Sequence, residues 1–448
     1  MNGVSYTRDT IAAIATAPGR GGIGIIRVSG PGVIKVAEAL TGRLPEPRYA
    51  TFTPFRDEDG TVIDQGIALY FKGPDSFTGE DVIEFQGHGG PVVLDLLLNR
   101  VVSAGARIAE PGEFSKRAFL NDKIDLAQAE AIADLISSGT REAARSAMRS
   151  LAGVFSERVH QLLVSVTELR VYVEAAIDFP EEEIDFLSDA NVLQQLKTID
   201  RAFIKLLEEA TEGALLSEGA SVVLTGRPNA GKSSLMNLMT GRETSIVTEI
   251  PGTTRDIVNE TLQLDGIPLR LVDTAGIRET QDLIETEGVR RAEQATAQAD
   301  LVIAMVDATE ENWLSDLRAL GERSGGITVR VCNKVDLLES EPAWPDDVIP
   351  VSVKTGEGIE RLKEQLKRCL GIEGSSESGF TARSRHVDAL RRAAAAVARG
   401  QDLLELEQAG ELLAEELRIC QQCLSEITGE FSADDLLGEI FSSFCVGK

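Results

Sequence analysis

The sequence predicts a multidomain protein that combines α+β and α/β domains, because its patterning changes along the chain. Glycines, β-branched residues and turn signals dominate residues 1–120, whereas apolar residues recur at helical spacing over 121–217. Strand and helix patterns alternate over 218–372, and helical spacing returns over 373–448. We therefore predict an α+β N-terminal domain followed by a helical domain into which a parallel-sheet α/β domain is inserted.

Composition and charge limit what the chain can be. Its 448 residues are 43% apolar and 26% charged, which is typical of folded domains, and at roughly 100–200 residues per domain they allow two to four domains. The formal net charge of −27 makes the chain a poor binder of nucleic-acid phosphate on its own. No apolar run approaches the about 18 residues that span a bilayer, so we predict a cytoplasmic protein that does not enter a membrane.

Short segments near the N-terminus predict strands and a helix. Residues 23–28, 67–71 and 81–85 carry the β-branched and alternating side chains of strands. Residues 91–102 begin with a proline and repeat apolar residues at helical steps. One face of this predicted helix is formed by Val92, Leu96, Leu97 and Val101.

Long helices are predicted on both sides of the α/β segment. Apolar residues there step by three or four positions, and Gly429 ends the second pattern. We expect the two helical parts to pack together, with the Gly- and Ser-rich residues 371–379 as a flexible linker. The first pattern comprises Leu151, Phe155, Val159, Leu162, Val166, Leu169 and Val173, and the second comprises Leu413, Leu417, Cys420, Leu424 and Ile427.

The strongest chemical signal is a glycine-rich loop between a predicted strand and a predicted helix. Residues 226–233 read Gly-Arg-Pro-Asn-Ala-Gly-Lys-Ser and follow the buried-strand pattern of 221–225. This is the G-x-x-x-x-G-K-S phosphate loop in its required context. Its glycines let backbone N–H groups turn toward phosphates, and the following helix adds partial positive charge. We expect Lys232 to reach the terminal phosphates and Ser233 to bind Mg²⁺.

Polar residues follow further predicted strands at the edge where parallel strands end. Asp273 begins Asp-Thr-Ala-Gly, in which the carboxylate can hold Mg²⁺ through water and Gly276 can face the γ-phosphate. Asn333 begins Asn-Lys-Val-Asp, and Asp336 can accept from the N1–H and the amine of guanine. That carboxylate would stay unpaired against adenine. Residues 352–354, Ser-Val-Lys, offer a backbone contact to the base.

In this order the motifs resemble the five-motif GTPase family, which implies a Ras-like P-loop G domain over residues 218–372. The loop 251–256 supplies a threonine that can complete the metal shell. Ras-like members follow Asp-x-x-Gly with a glutamine that orients the attacking water, whereas this chain has Ile277. Two explanations stay open. One is a slow switch that waits for a helper protein, and the other is a monovalent cation held partly by the amide oxygen of Asn229, which would neutralise developing charge.

The whole chain resembles the TrmE-type GTPases, which carry a folate-type N-terminal domain and a helical domain split by the G domain. Short glycine-rich and charged motifs carry this resemblance to the last residue. They span residues 19–22, 77–80, 86–90, 111–114, 120–123 and 445–448.

The resemblance implies sites for GTP, Mg²⁺ and K⁺ in the G domain. Ser233 and Thr254 would hold Mg²⁺, and Glu285 would be the catalytic residue that helps orient the water. The K⁺ ligands would be Asn229, Thr248, Ile250 and Thr253. The GTP-binding residues would be Asn229, Ala230, Gly231, Lys232, Ser233, Ser234, Thr248, Glu249, Ile250, Pro251, Gly252, Thr253, Thr254, Asp273, Thr274, Ala275, Gly276, Asn333, Lys334, Asp336, Ser352, Val353 and Lys354.

The resemblance also implies a second site and several partners. A tetrahydrofolate derivative, in the 5-formyl or 5,10-methylene form, would serve as one-carbon donor, and Cys445 would be required for function. A homodimer would join the FAD-dependent protein MnmG in a heterotetramer, with K⁺-stimulated GTP hydrolysis coupled to pairing of G domains. The assembly would add an aminomethyl or carboxymethylaminomethyl group to C5 of the wobble uridine of certain tRNAs, held largely by the partner. The folate-binding residues would be Arg27, Glu84, Lys123 and Lys448.

From the residues alone, these positions have simpler interpretations. The four folate-site candidates would be surface charges, because such side chains are mostly exposed. Glu285 would be a charge on a helix surface. His88, which lies between glycines, would be a turn histidine.

Two other classes of GTPase fit the same G-domain motifs. An RNA-binding ribosome-assembly GTPase without folate chemistry would usually carry a basic appendage, which this acidic sequence does not contain. A membrane-remodelling or scaffold GTPase would need a spanning segment or a basic amphipathic helix, and the sequence contains neither. Folate binding separates the first hypothesis from both alternatives.

Overall fold

The computed structural model describes most of the chain. The described residues are 9–178, 190–240, 259–264, 267–273, 299–322, 326–340, 342–371, 379–407, 409–430, 434–442, 444 and 447. The chain divides into two compact units, one formed by residues 1–133 with 424–448 and the other by residues 134–423. The four domain boundaries of the sequence analysis stay predictions. No helix in the described part of the chain is long and apolar enough to cross a bilayer.

Strands and helices follow one another in the predicted mixture of α+β, helical and α/β segments. The strands are β1 (Ile11–Ile14), β2 (Gly21–Ser29), β3 (Thr51–Arg56), β4 (Val62–Phe71), β5 (Val82–Gly89), β6 (Arg107–Ile108), β7 (Ala220–Thr225), β8 (Asn259–Leu264), β9 (Ile267–Asp273), β10 (Leu301–Asp307), β11 (Ile327–Asn333) and β12 (Val348–Pro350). The helices are α1 (Val33–Thr41), α2 (Pro91–Ser103), α3 (Glu113–Leu120), α4 (Leu126–Ser137), α5 (Arg141–Leu151), α6 (Val154–Asp178), α7 (Ala190–Glu218), α8 (Lys232–Thr240), α9 (Trp313–Glu322), α10 (Ile359–Cys369), α11 (Ser384–Glu407), α12 (Gly410–Thr428) and α13 (Asp434–Ser442).

A six-stranded sheet with the order β3-β4-β5-β2-β1-β6 forms the centre of the first unit. Its pairs are antiparallel except β1 with β6. Ile26 and Phe85 face the core, where α1 and α2 pack on the sheet. Since side chains alternate along a strand, Arg27 and Glu84 point to the opposite face. The strands predicted over 23–28, 67–71 and 81–85 are confirmed.

The helix predicted over 91–102 is confirmed as α2, but the prediction of its face is wrong in part. The helix buries Leu94, Leu97 and Val101, whereas Val92 is 72% exposed and Leu96 is 49% exposed. Apolar residues occur around most of this helix, so periodicity alone does not determine the face that packs. The face that carries Leu94 is the buried one because it packs against the sheet.

The C-terminal residues of the first unit pack on its third and fourth helices. Leu126 of α4 lies in one apolar cluster with Phe441 of α13 and Phe444. Gly112 begins α3 at a φ of 65°, and a Cβ there would lie 2.5 Å from the carbonyl oxygen of Phe441. Glycine is therefore required for this close approach.

The predicted helices of the second unit are confirmed, and the two helical parts pack together. Ser150 donates to the carbonyl of Thr381 at 2.8 Å, and a Cβ on Gly213 of α7 would lie 2.4 Å from the carbonyl oxygen of Phe380. The predicted apolar rows are buried in α6 and α12, and Leu151, which begins the first predicted row, is half-buried at the end of α5. The α/β segment enters between α7 and α11, so it is an insertion in the helical part.

The inserted segment forms a second six-stranded sheet, ordered β12-β11-β10-β7-β9-β8. Five strands are parallel, as predicted, but β8 runs antiparallel to β9. Only Asp265 and Gly266 separate these two strands in the sequence, and a two-residue connection can join only antiparallel neighbours. Asp-Gly is a hairpin signal that the prediction of a parallel sheet missed.

An aromatic pair lies beside this sheet. The rings of Trp313 on α9 and Trp344 are 5.3 Å apart and pack against a small buried cluster that includes Val306 and Leu317. These are the two tryptophans of the sequence.

Candidate functional site

The glycine-rich loop joins β7 to α8 and is packed too closely for larger residues. Gly226 and Gly231 have φ values of 153° and 102°. A Cβ on Gly226 would lie 2.1 Å from the carbonyl oxygen of Met305, and one on Gly231 would lie 2.2 Å from Nδ2 of Asn333. Asn229 is exposed at a φ of 65°. The loop backbone is therefore fixed by glycines where β10 and β11 end.

Lys232 lies at the first position of α8 and crosses back over the loop. Its side chain is buried, and Nζ donates to the carbonyls of Gly226 and Arg227 at 2.9 Å each. Ser233 and Ser234 follow in the first turn, where helix N–H groups add partial positive charge. A fixed ammonium beside a helix N-terminus suits a phosphate group.

Asn333 connects the phosphate loop to the other motifs. Its Nδ2 donates to the carbonyl of Ala230 at 2.8 Å, and its Oδ1 accepts from the backbone N–H of Val353 at 3.1 Å. Ser352 donates to Asp336 at 2.7 Å. The structure therefore brings three motifs together. Ala230 and Asn333, which share a hydrogen bond, lie 103 residues apart in the sequence.

Lys334 has a partner that the sequence analysis missed. Its Nζ lies 2.6 Å from Asp307, the last residue of the neighbouring strand β10. The available signal was the position of Asp307, because a polar residue where a parallel strand ends is a common ligand position.

The structure describes only some of the remaining predicted residues of the G domain. The backbone of Asp273 ends β9, and Lys354 is exposed. The other candidates lie outside the described residues, namely Thr248, Glu249, Ile250, Pro251, Gly252, Thr253, Thr254, Thr274, Ala275, Gly276 and Glu285.

A second polar site lies on the sheet of the first unit. Arg27 lies 2.9 Å from Glu84 across the β2–β5 pair, and Gln86 donates to the other oxygen of Glu84 at 3.1 Å. The guanidinium also lies about 6 Å from two aromatic rings, at 6.0 Å from Phe77 and 5.9 Å from Phe114. Phe77 is 37% exposed. An ion pair beside an accessible ring suits a flat, polar heterocycle.

Other predicted residues of this second site are less directly connected. Lys123 donates to the carbonyl of Pro74 at 3.0 Å, in the segment that carries Phe77. Arg27 donates to the carbonyl of Gly447 at 3.4 Å. Cys445 and Lys448, the predicted residues beside Gly447, lie outside the described residues.

A buried charge network supports this part of the sheet. Arg117 of α3 is fully buried and contacts Asp9 at 2.8 Å, Glu113 at 2.9 Å and Glu80 at 3.0 Å. Arg107 adds contacts to Glu113 at 2.6 Å and to Asp9 at 2.5 Å. Nothing in the sequence pattern singles out this network, because its members come from four separate segments.

Asp9 and Glu113 stay charged at neutral pH. Burial alone would raise the pKa of Asp9 and of Glu113, but hydrogen bonds from the two arginines outweigh burial and lower both pKa values. Ser29 donates to Glu80 at 2.8 Å, and Ser29 lies two residues from Arg27 on β2. The network therefore fixes the strand that presents Arg27.

His88 belongs to a strand, so its interpretation as a turn histidine is wrong. It lies in β5, and Asp64 of β4 accepts from its backbone N–H at 2.7 Å and contacts Nδ1 at 2.8 Å. Burial would raise the pKa of Asp64, but these hydrogen bonds outweigh it and lower the pKa. The paired ladder of β4 and β5 reaches only Gln86, so Asp64 satisfies a strand-end N–H group.

The mostly parallel sheet, the phosphate loop with its buried lysine, and the Asn-Lys-Val-Asp turn tied to that loop define the class of the molecule. It is a P-loop GTPase.

Comparisons with known proteins give the family. The family profile described as MnmE helical domain matches residues 126–445, and the one described as GTP-binding protein TrmE N-terminus matches residues 10–123. The proteins named tRNA modification GTPase MnmE from Pseudomonas syringae pv. tomato and Erwinia tasmaniensis are each 56% identical, covering 99% and 98% of this chain and 100% and 99% of their own. The one from Vibrio cholerae serotype O1 is 55% identical and covers 99% of this chain and 100% of its own. The chain belongs to the MnmE (TrmE) family of tRNA modification GTPases.

Solved structures match part of the chain. A variant of Era from Aquifex aeolicus bound to GDP.AlF4- is 26% identical, covers 40% of this chain and 66% of its own, and has a TM-score of 0.28. The G domain of the FeoB iron transporter of T. maritima is 27% identical, covers 34% of this chain and 98% of its own, and has a TM-score of 0.26. Family membership rests on the profiles and the full-length relatives.

Proposed function

We propose that this chain is a GTP hydrolase that drives modification of the wobble uridine of certain tRNAs. With an FAD-dependent partner, MnmG, it would add an aminomethyl or carboxymethylaminomethyl group to C5, using a tetrahydrofolate derivative as one-carbon donor. The observation that carries this proposal is the hydrogen-bonded connection of Asn333 to Ala230 and Val353, which joins the phosphate loop to the guanine-reading turn in a chain of this family.

Guanine nucleotide is the ligand that the described residues fit best. Asp336 keeps one oxygen on Ser352, which orients the carboxylate in the turn that follows β11. A carboxylate pairs with the N1–H and amine of guanine, and adenine lacks that donor pair. Lys232 and the first turn of α8 would hold the phosphates, together with the other GTP-binding residues predicted from the sequence.

Mg²⁺ and K⁺ fit the oxygen donors of this region. Ser233 offers a hydroxyl in the first turn of α8, and with Thr254 it would hold Mg²⁺, which supplies charge neutralisation for phosphoryl transfer. Asn229 is exposed on the loop, and its amide oxygen with Thr248, Ile250 and Thr253 would hold K⁺. Glu285 would orient the attacking water, since Ile277 cannot.

The Arg27 site is the proposed folate site. Glu84 accepts from Gln86 and Arg27 and would pair with pterin amino groups, while Lys123 and Lys448 would attract the carboxylates of folate. The partial exposure of Phe77 supports a flat ring system beside Arg27. Tetrahydrofolate would supply the one-carbon unit, and Cys445 is proposed as a residue that the protein requires for function.

The net charge of −27 supports a division of labour with the partner. A strongly acidic chain repels the RNA backbone, so MnmG would hold most of the tRNA in a heterotetramer with a homodimer of this chain. Hydrolysis would be stimulated by K⁺ and coupled to pairing of the G domains. We further propose that the protein acts in the cytoplasm.

The proposal is tested by nucleoside analysis of tRNA from a deletion strain. We expect the C5 modification to be absent, restored by the wild-type gene and not restored by Asp336→Asn. Purified protein should bind GTP and not ATP in calorimetry, and Asp336→Asn should prefer xanthosine triphosphate because the amide can donate to its second carbonyl. Fully modified tRNA in the deletion strain would contradict the proposal.

Titration with 5-formyltetrahydrofolate separates the proposal from a ribosome-assembly GTPase. We expect wild-type binding and its loss in Arg27→Ala, with GTP affinity unchanged in that variant. Arg48→Ala is a suitable control, because Arg48 lies over Phe71 at 5.9 Å in the same unit without belonging to the proposed site. Absence of folate binding by the wild-type protein would exclude the folate part.

A further inference from the structure

Lys334 is held in an unusual backbone conformation by its surroundings. Its φ is 67°, in the left-handed region that residues other than glycine rarely adopt. It precedes the short 3-10 helix Val335–Leu337, which contains Asp336. The side chain leaves this turn toward the neighbouring strand, where Nζ lies 2.6 Å from Asp307. The ion pair with Asp307 therefore holds the lysine at the end of β10.

Asp307 is itself fixed on several sides. One of its oxygens accepts from the backbone N–H of Thr309 at 3.0 Å and from the Thr309 hydroxyl at 2.7 Å, which leaves the other for Lys334. Ala308 donates to the carbonyl of Asn333 at 2.8 Å, which joins the two strand ends. Asp307 and Asn333 are paired in register across β10 and β11.

The charge of Asp307 is stable at neutral pH. Burial alone would raise its pKa, but the hydrogen bonds from Lys334 and Thr309 outweigh burial and hold the pKa below its usual value. The side chain is 12% exposed and that of Lys334 is 32% exposed. A partly buried ion pair of this kind is screened less than one in water.

We propose that Asp307 is a positioning residue for guanine-nucleotide binding: it holds Lys334 at the end of β10 and thereby keeps Asp336 available for the base. Without Asp307, the carboxylate of Asp336, two residues further along the same turn, becomes the natural partner of Lys334. That pairing would occupy the oxygens that read guanine, and it would also release a long side chain that must be reordered on binding. This inference rests on the proposed function.

Asp307→Asn tests the inference with little change of shape. The amide oxygen still accepts from Thr309, whereas the amide nitrogen cannot accept from Lys334. We expect the Kd for GDP to rise about tenfold, mostly through faster dissociation. Inosine diphosphate lacks the exocyclic amine, so its binding should fall less, and the ratio of GDP to IDP affinity should fall at least about threefold. Stopped-flow dissociation and calorimetry give both quantities.

The matched control is Asp347→Asn, which removes an ion pair to Arg330 of the same strand β11 at 2.9 Å but leaves the pocket unchanged. A double-mutant comparison gives a second measure: in a Lys334→Met background, Asp307→Asn should cause no further loss, because Asp307 acts through Lys334.

The outcomes separate this inference from the proposed function. Wild-type protein that does not bind GDP would overturn the proposed function itself. Wild-type binding with an unchanged GDP to IDP ratio in Asp307→Asn would overturn only the role of Asp307. Additive losses in the double variant would also overturn it, because Asp307 would then act independently of Lys334.

Discussion

The nucleotide loop and the Arg27 site are built in different ways. In the loop, glycines set the backbone, and the side chains that matter bond to main-chain groups, as Lys232 does to Gly226 and Arg227. At the Arg27 site, segments that are distant in sequence meet. Arg27 pairs with the carboxylate of Glu84, 57 residues away, and also donates to the main-chain carbonyl of Gly447, 420 residues away. One site depends on local geometry and the other on long-range charge pairing.

This difference determines which substitutions should impair each site. A backbone-built site tolerates loss of surface charges but not added volume, since its N–H groups must converge. A site built from charges depends on buried partners, because removing one member leaves the others uncompensated. Substitutions in the two regions should therefore produce opposite patterns of lost binding and lost stability.

Arg117→Met should have the largest effect, and it should be an effect on stability. The change removes the buried cation shared by three carboxylates and leaves Glu80 without this ion pair, while Arg107 still pairs with Asp9 and Glu113, so we expect the first unit to lose about 3–5 kcal/mol. Urea unfolding followed by circular dichroism measures the loss. Lys116→Met, the same replacement at the half-buried neighbouring residue of α3, is the control. GDP affinity should stay unchanged, and a parallel loss of GDP affinity would contradict the comparison.

Gly231→Ala should show the opposite pattern. The new methyl group would lie 2.2 Å from Asn333 Nδ2 at a φ of 102°, so the loop must move. We expect GDP affinity to fall at least about 100-fold. The free energy of unfolding should change by less than the free energy of binding. Gly371→Ala is the control, because Gly371 also has a positive φ of 72° but a Cβ there meets nothing within 4 Å. Equal losses in both variants would show that backbone strain, and not volume, is responsible.

Glu113→Gln should make the stability of the first unit depend less on pH. The pKa of Glu113 is lowered in the folded protein, so its contribution is present above the ordinary pKa of 4.5 and is lost as pH falls through the folded value. We expect the variant to be less stable by about 1.5–3 kcal/mol at pH 7, and the difference to shrink below pH 4.5. Urea titrations from neutral to acidic pH measure it. If the difference in stability between the two proteins did not change with pH, the charge of Glu113 would not be its cause.

Arg227→Gln should have the smallest effect. Arg227 belongs to the nucleotide loop and pairs with Glu310 at 3.3 Å and with Asp316 at 3.2 Å, but its side chain is 60% exposed. Exposed ion pairs contribute little, so we expect a change in unfolding free energy below about 1 kcal/mol. A thermal melt of both proteins measures it. A larger loss would show that the loop depends on charge as the first unit does.

The sequence predicts the nucleotide loop well because its requirements are local. A loop that must turn inward needs glycines at fixed spacing, and Lys232 and Ser233 follow at the helix start, so the pattern is visible without the fold. The rows of α6 and α12 are visible for the same reason, since burial repeats at helical steps. The helix α2 is less predictable because Val92 and Leu96 are apolar but exposed.

Features that depend on tertiary contacts could not be predicted. Glu113 and Arg117 share α3 at an i,i+4 spacing, but Asp9 and Glu80 are brought to Arg117 by separate segments. Asp307 is similar, although its place at a strand end was a usable signal. The antiparallel strand β8 was predictable from Asp265 and Gly266, and the error came from treating every strand of an alternating segment as parallel.

The close packing of Trp313 and Trp344 gives the molecule an internal optical reporter. Both indoles of the chain belong to the inserted α/β segment, so the change in tryptophan emission on unfolding comes from that segment alone. The first unit contributes tyrosine and phenylalanine signals only. Melting of the two parts can therefore be followed separately in one cuvette, with neither labels nor truncation.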